Sequence, residues 1–180
     1  MSKTAKVFVA RQDGSFLTPE FRVSFPKVFE PNEDGKYGLA MIFDDDVDFT
    51  TLEKAIALKK KEAWPQGPKG VYMEPILDGD SSTASREELV GKTYINGKCG
   101  KYRPGLVGPD RNPIVDEAEF YPGCWARAVV TVYSWNFKGK CGISVNVRNI
   151  QKLRDDEPLI SRVKAEDEFD AAEVQEVSDL

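Results

Sequence analysis

The chain has 180 residues, of which 41% are hydrophobic and 11% aromatic, enough apolar material for one buried core. It contains no histidine, which excludes histidine-based catalytic triads and most zinc sites. The three cysteines lack metal-ligand spacing and are expected to be reduced thiols. No stretch approaches the roughly 20 apolar residues of a membrane span, and no signal peptide is recognisable, so a soluble, intracellular protein without membrane association is expected.

The N-terminal part of the chain has the pattern of half-buried strands. A β-branched segment at Lys6–Ala10 predicts a first short strand. Apolar and polar residues alternate over the next predicted strand, which places three apolar side chains on one face (Phe21, Val23 and Phe25). Residues 37–43 predict a further strand whose two faces are both largely covered.

One helix is predicted, over residues 50–63, where Thr50 and Glu53 have the spacing of a capping box. The acidic run Asp44–Asp46 precedes it. Because adjacent strand residues point to opposite faces, we interpret this run as a charge cluster at the helix N-terminus. A metal site of a nuclease is the less favoured alternative. No cofactor or metal is therefore predicted.

Residues 64–123 contain sixteen of the twenty-five glycines and prolines of the chain. A structureless segment of this length is improbable in a compact domain unless it is functional. We therefore expect short strands near residues 71–77 and 93–95, joined by long loops.

The strongest β pattern follows Gly123. One face of the predicted strand Cys124–Phe137 carries small apolar residues that suit a tightly curved interior (Cys124, Ala126, Ala128, Val130 and Val132). A turn at Lys138-Gly139-Lys140 leads into another alternating strand at residues 143–148. The elements together predict a mainly β fold: a small OB-type β-barrel with one α-helix and long loops.

Aromatic residues and cations are interleaved in two places. One is a glycine-rich loop, and the other is the outer face of the Cys124–Phe137 strand together with cations close to it in the sequence. Single-stranded nucleic acid is bound by this combination, because cations hold phosphates while rings stack on unpaired bases. The alternative is that the large rings are buried beneath the helix. The candidate nucleic-acid-binding residues are Lys98, Lys101, Tyr102, Arg103, Trp125, Arg127, Tyr133, Trp135, Lys138 and Arg148.

The C-terminus is strongly acidic. From Lys164 onward one lysine and seven carboxylates give a net charge of −6, whereas the whole chain carries −5. We predict a domain over residues 1–160 and a flexible tail over 161–180 that contacts partners or competes with nucleic acid. A tail that only aids solubility is the alternative. The residues assigned to the tail's function are Glu166, Asp167, Glu168, Asp170, Glu173, Glu176, Asp179 and Leu180.

The stretch TYINGKCGKYRPG and the turn Tyr121–Trp125 with the strands after it resemble a family of tailed-bacteriophage proteins that bind single-stranded DNA. The likeness spans roughly residues 5 to 160. It implies an OB fold and a role in replication, recombination or repair in the cytoplasm of an infected bacterial host. It also implies that the acidic tail recruits replication or recombination proteins, although the tail lacks the terminal Pro-Phe of bacterial relatives.

The hypothesis is thus a non-catalytic protein that binds single-stranded DNA with little sequence preference. Weaker binding of duplex DNA and self-association are left open. Two other classes are kept as alternatives: a β-barrel adaptor whose tail docks on a basic partner without binding DNA, and a metal-dependent nuclease that uses Asp44–Asp46.

Overall fold

The computed structural model describes residues 6–80, 87–159 and 168–172. Over these residues the chain forms ten strands and one α-helix: β1 Val9–Ala10, β2 Phe16–Leu17, β3 Phe21–Lys27, β4 Tyr37–Phe43, α1 Thr50–Ala63, β5 Val71–Met73, β6 Ile76–Asp78, β7 Thr93–Gly100, β8 Gly105–Val107, β9 Trp125–Phe137 and β10 Lys140–Arg154.

Five of these strands close into a barrel. β3 pairs with β4, β4 with β7, β7 with β10 and β10 with β9, and β9 returns to β3. The β7–β10 pair is parallel and the other four pairs are antiparallel. A closed five-stranded barrel of this kind with long connections is an OB-type barrel, so the predicted fold class is confirmed.

The β9–β10 hairpin forms the longest part of the barrel wall. Its turn is Lys138–Gly139, and both residues have positive φ angles, 46° and 77°, as two-residue hairpin turns require. Most of the small apolar face predicted for this strand lies inside the barrel: Cys124, Ala126, Ala128 and Val130 are buried, and Val132 is half-buried.

Several strands differ in length from their sequence-based prediction: β10 spans Lys140–Arg154 where residues 143–148 were expected, and the segment near residues 71–77 forms two strands, β5 and β6. β7 continues to Gly100, although its glycines suggested a loop, because β4 and β10 pair with it on either side. Gly97 faces the core at a close approach: a Cβ there would lie 2.5 Å from a methyl carbon of Val147. At the N-terminus, β1 is restricted to Val9–Ala10, while Val7 forms an isolated bridge with Asp48.

The predicted alternation of β3 is wrong at its third apolar residue. Phe21 and Val23 are buried, but Phe25 is 45% exposed. The register of the β3–β4 pair is interrupted between Ser24 and Lys27, and Phe25 has a φ angle of 47°. The irregularity turns this ring out of the barrel, as strand bulges do.

Helix α1 has the predicted bounds and packs against β9 and β10 through Leu52 and Ile56, which are buried. The predicted capping box is wrong. Phe49 is the N-cap residue, no side chain caps the helix, and the Asp48 carboxylate instead accepts the Thr50 N–H at 2.9 Å. In the part of the chain that the structure describes, no helix has the length and apolar character to cross a membrane.

Candidate nucleic-acid interface

The outer surface of β4 and β7 carries a groove of about 520 Å³, which we call the aromatic groove. Its lining combines three rings, three lysines, three asparagines and a floor of small or apolar residues. The rings are Phe25, Tyr37 and Tyr133, the lysines are Lys27, Lys36 and Lys98, the asparagines are Asn32, Asn96 and Asn146, and the floor is Gly38, Leu39, Ala40, Gly97 and Gly100. None of these described lining residues is acidic, so flat rings and positive charge occur together.

The strand register explains the shape of the floor. Asn146 lies opposite Lys98 on β7, and Lys98 lies opposite Gly38 on β4, so the three form one row across the sheet. Because Gly38 has no side chain, the groove reaches the backbone there. A Cβ at Gly38 would lie 2.6 Å from the carbonyl oxygen of Gly97, which leaves no room for another residue.

The three rings come from three strands. Tyr133 belongs to the outer face of β9 and is 36% exposed. Tyr37 is half-buried at the start of β4, where it packs against the core. Phe25 joins them because the irregularity in β3 turns it outward. The groove therefore assembles rings that are far apart in the sequence.

Trp135 lies beside the groove under Lys98, whose ammonium nitrogen is 5.7 Å from the ring centre. Gly142, its partner on β10, provides the space for the ring: a Cβ there would lie 2.9 Å from a ring carbon. The indole N–H is buried and has no hydrogen-bond partner among the described residues. Trp135 is half-buried, so part of its ring packs within the protein and part is accessible to solvent.

The position of the groove matches the face that OB folds use for oligonucleotides. That face is formed by the second and third barrel strands with the loops that join the first to the second and the fourth to the fifth. Here these elements are β4, β7, the β3–β4 connection and the β9–β10 turn. Phe137, the last residue of β9 before this turn, is 65% exposed, and the ammonium nitrogen of Lys138 in the turn lies 5.2 Å from its ring.

Lys101, Tyr102 and Arg103 follow Gly100, at the end of β7, whereas Lys98, predicted in the same glycine-rich loop, lies within the strand. Lys101 is exposed and Tyr102 is 84% exposed, and both directly follow Gly100, which lines the aromatic groove. Arg103 is differently placed: its Nε donates to the Val28 carbonyl oxygen at 3.0 Å, and its guanidinium lies 5.0 Å from the Phe29 ring. Arg103 thus ties this loop to the β3–β4 connection.

Trp125 is 8% exposed, at the far end of β9. Its indole N–H donates to the Asp156 carboxylate at 2.8 Å, and the Arg154 guanidinium covers the ring at 4.4 Å. The hydrogen bond from Trp125 lowers the pKa of the Asp156 carboxyl below its usual value. These contacts fasten the chain after β10 to the barrel.

Arg127 and Arg148 lie away from the aromatic groove. The Arg127 Nε donates to the Gln151 side-chain oxygen at 2.8 Å. Arg148 pairs with Asp13 at 2.9 Å. The Ser15 hydroxyl and Arg148 hold the pKa of the Asp13 carboxyl well below its usual range. Arg148 therefore has a carboxylate partner within the protein, whereas Arg127 has none among the described residues.

Sequence reasoning missed most of the groove lining, namely Phe25, Lys27, Asn32, Lys36, Tyr37, Asn96 and Asn146. The groove could have been recognised from Gly38 and Ala40, two small residues on one face of a predicted strand, because small side chains leave space above the sheet. Phe25 could not have been found this way, since the period-two pattern assigns it to the core.

The acidic residues before α1 are paired with lysines: Lys6 lies 3.1 Å from Asp44 and 3.2 Å from Asp46. Over residues 6–80, 87–159 and 168–172, no group of three or more metal-ligating side chains is found. Of the tail residues, Glu168 and Asp170 are exposed. Glu166, Asp167, Glu173, Glu176, Asp179 and Leu180 lie outside the described residues.

Comparisons with known proteins agree with this geometry. Residues 15–179 match the family model described as Enterobacter phage Enc34, ssDNA-binding protein. A search among curated proteins found no match. The structure of the bacteriophage Enc34 single-stranded DNA-binding protein has a TM-score of 0.73 at 26% identity, covering 94% of this chain and 97% of that one.

Two further structures are similar. The Enc34 protein in complex with ssDNA has a TM-score of 0.72 at 27% identity, over 87% of this chain and 96% of that one. The single-stranded DNA binding protein gp2.5 of bacteriophage T7 has a TM-score of 0.58 at 10% identity, over 87% and 99%, a likeness of fold alone. The family match spans most of the chain and confirms the resemblance seen in the sequence: this chain belongs to the Enc34 family of phage ssDNA-binding proteins.

Proposed function

We propose that this chain binds single-stranded DNA, with little sequence preference and without catalysis, in the cytoplasm of an infected bacterial host. The observation that carries the proposal is the aromatic groove, where rings and lysines occur together without a carboxylate among the described lining residues. A family member of 27% identity has been solved in complex with ssDNA, which supports the same ligand here.

The lysines and the rings have separate tasks in this mechanism. Lys27, Lys36 and Lys98 neutralise phosphates and release counterions, so affinity falls as salt is raised. Tyr133 and Phe25 offer faces on which unpaired bases stack, at roughly 1–3 kcal/mol per base. Every base has a flat face, so stacking gives little sequence preference. Duplex DNA is expected to bind more weakly, because its bases are already stacked.

Nine of the ten residues proposed from the sequence divide into two sets, and the tenth, Arg127, lies away from the aromatic groove beside Gln151. Lys98, Tyr133 and Trp135 lie in or beside the aromatic groove, and three exposed residues, Lys101, Tyr102 and Lys138, follow the ends of β7 and β9. Trp125, Arg103 and Arg148 make contacts within the protein that hold segments of chain in place. We assign DNA contact to the first set and a supporting role to the second.

The acidic tail is proposed to compete with DNA for the aromatic groove. Leu159, seven residues before Glu166, lines a neighbouring groove together with Phe25 and Lys27, which also line the aromatic groove. Seven extended residues span at most about 25 Å, so the first carboxylates can reach the lysines. Tethering then gives them a high effective concentration there.

When DNA occupies the groove, the displaced tail becomes available to replication, recombination or repair proteins. This gives the tail a second proposed role as a recruiting segment for partners with a basic surface. Pull-down with the full chain, in the presence and absence of oligo-dT, tests this: capture of such a partner is expected to rise when DNA is present.

The experiment for DNA binding is a titration of labelled oligo-dT and of a matched duplex with the full chain. Tight binding of oligo-dT that weakens with salt supports the proposal. An adaptor that never contacts DNA would give no complex with either ligand, even when the seven tail carboxylates are replaced by amides.

A further inference from the structure

A second groove lies on the barrel surface beside β1, β2 and β8. It has a volume of about 390 Å³, and we call it the arginine groove. It is lined by three arginines, Arg11, Arg111 and Arg127, over aliphatic residues, Val9, Leu17, Val107, Ala128, Val129 and Ile150, with Asn149 and Gln151. Among these described residues there is neither an aromatic ring nor a carboxylate.

The three arginines are not neutralised within the described protein. No carboxylate oxygen of the described residues lies within 4.0 Å of their guanidinium groups. Arg148 and Arg154 by contrast each have an acidic partner, at 2.9 and 3.0 Å. Three uncompensated guanidinium groups around one groove form a site for a polyanion.

The groove is also held in shape by hydrogen bonds. The Gln151 side chain accepts from the Arg127 Nε at 2.8 Å, and its amide nitrogen donates to the Gly108 carbonyl oxygen at 3.2 Å. It therefore links Arg127 to the turn that carries Arg111. Arg111 has a φ angle of 70°, a conformation that costs a non-glycine residue energy, so the local backbone alone would favour glycine there.

We propose that the arginine groove binds the phosphodiester backbone of the same DNA strand whose bases stack in the aromatic groove. This inference rests on the proposed function. Arg127 and Tyr133 lie on one face of β9, six residues apart, which corresponds to about 20 Å. A strand that extends along β9 from the aromatic groove reaches the arginines.

The chemistry of the lining defines what is bound. Guanidinium groups form paired hydrogen bonds with phosphate oxygens, and they remain charged at all relevant pH values. With no ring in the described lining, bases are not stacked there. The arginine groove therefore increases the affinity for long DNA strands and the salt dependence of their binding. It does not contribute to the binding of a strand too short to extend beyond the aromatic groove.

The test uses the full chain with Arg11→Gln and Arg111→Gln combined. The control combines Lys54→Gln and Lys61→Gln, two exposed helix lysines that make the same change in net charge. Because OB folds cover about 4–16 nucleotides, the probes are oligo-dT of about 6 and about 24 nucleotides. Affinity is measured by anisotropy over a range of salt concentrations.

The arginine variant and the lysine control are expected to bind the short probe with equal affinity and equal salt slope. With the long probe, its salt slope is expected to be lower than that of the control by about 1.4, since each lost phosphate contact on a single strand lowers it by about 0.7. Arg111→Gly is expected to keep the fold and to reproduce half of this change, because glycine suits the positive φ angle.

Equal slopes for the arginine and lysine variants on the long probe would overturn the inference while leaving the proposed function intact. Tighter binding of long DNA by the arginine variant would show that the groove holds the acidic tail instead, which also overturns it. If the unaltered chain bound neither probe, the proposed function itself would fail.

Discussion

The ammonium group of Lys98 lies 5.7 Å from the centre of the Trp135 ring, although the two residues belong to strands separated by β10. The contact exists because Gly142 on β10 leaves space for the indole. It places a tryptophan next to a lysine of the aromatic groove. The emission of Trp135 should therefore respond when DNA enters the groove.

Oligo-dT is expected to quench the tryptophan fluorescence of the full chain, and Trp135→Phe should remove most of that quenching. The other two tryptophans provide matched controls, since Trp64 packs against Tyr72 and Trp125 is covered by Arg154, so neither lies against a lysine of the aromatic groove. Trp64→Phe and Trp125→Phe should retain the signal. Quenching that disappears with Trp125→Phe instead would place the DNA at the far end of β9.

Tyr133→Ala should weaken oligo-dT binding by roughly 1–3 kcal/mol, the value of one stacked base. The side chain is partly exposed, so the stability of the fold should change little. Tyr133→Phe keeps the ring and should retain affinity. Titrations by anisotropy and urea unfolding measure the two quantities, and loss of affinity in both variants would indicate a role for the hydroxyl rather than for stacking.

Lys98→Gln should lower the slope of log affinity against log salt by about 0.7, the share of one phosphate contact on a single strand. Lys54→Gln makes the same charge change on the exposed face of α1 and should leave the slope unchanged. Identical slopes for both variants would mean that Lys98 serves only to position Trp135.

Gly142→Ala should destabilise the fold by about 1–3 kcal/mol, the range for overpacking a core. A Cβ at this position would lie 2.7 Å from the Met73 carbonyl oxygen and 2.9 Å from the Trp135 ring. The variant should also shift Trp135 emission before any DNA is added. An unchanged urea midpoint would show that β5 moves aside without cost.

The sequence predicts the barrel better than the site. The apolar stripe of α1 and the alternation of β9 determine those elements locally, so the sequence predicts α1 with its bounds and β9 to within one residue. The aromatic groove depends on how β4, β7 and β10 are aligned and on the turned-out Phe25, and no local pattern carries that information. Trp125 and Trp135 are equivalent in the alternation of β9, yet only Trp125 is covered by Arg154.

The ion pair between Asp13 and Arg148 should make stability depend on pH in the acid range. The Ser15 hydroxyl and Arg148 lower the pKa of Asp13 in the folded chain, so folding is favoured above the unfolded pKa of about 4. This contribution is lost as the pH falls further. Asp13→Asn should thus be less stable than the unaltered chain at pH 7, with a difference that shrinks below about pH 4. Urea unfolding at a series of pH values measures this, and a constant difference would contradict it.

Photo-crosslinking tests the central claim most directly. Full-length protein is irradiated with oligo-dT that contains bromodeoxyuridine, and the crosslinked residues are identified by mass spectrometry. Crosslinks at Phe25, Tyr37 and Tyr133 are expected, because these rings line the aromatic groove. Crosslinks confined to rings outside it, such as Trp64 and Tyr72, would contradict the proposal that bases stack in this groove.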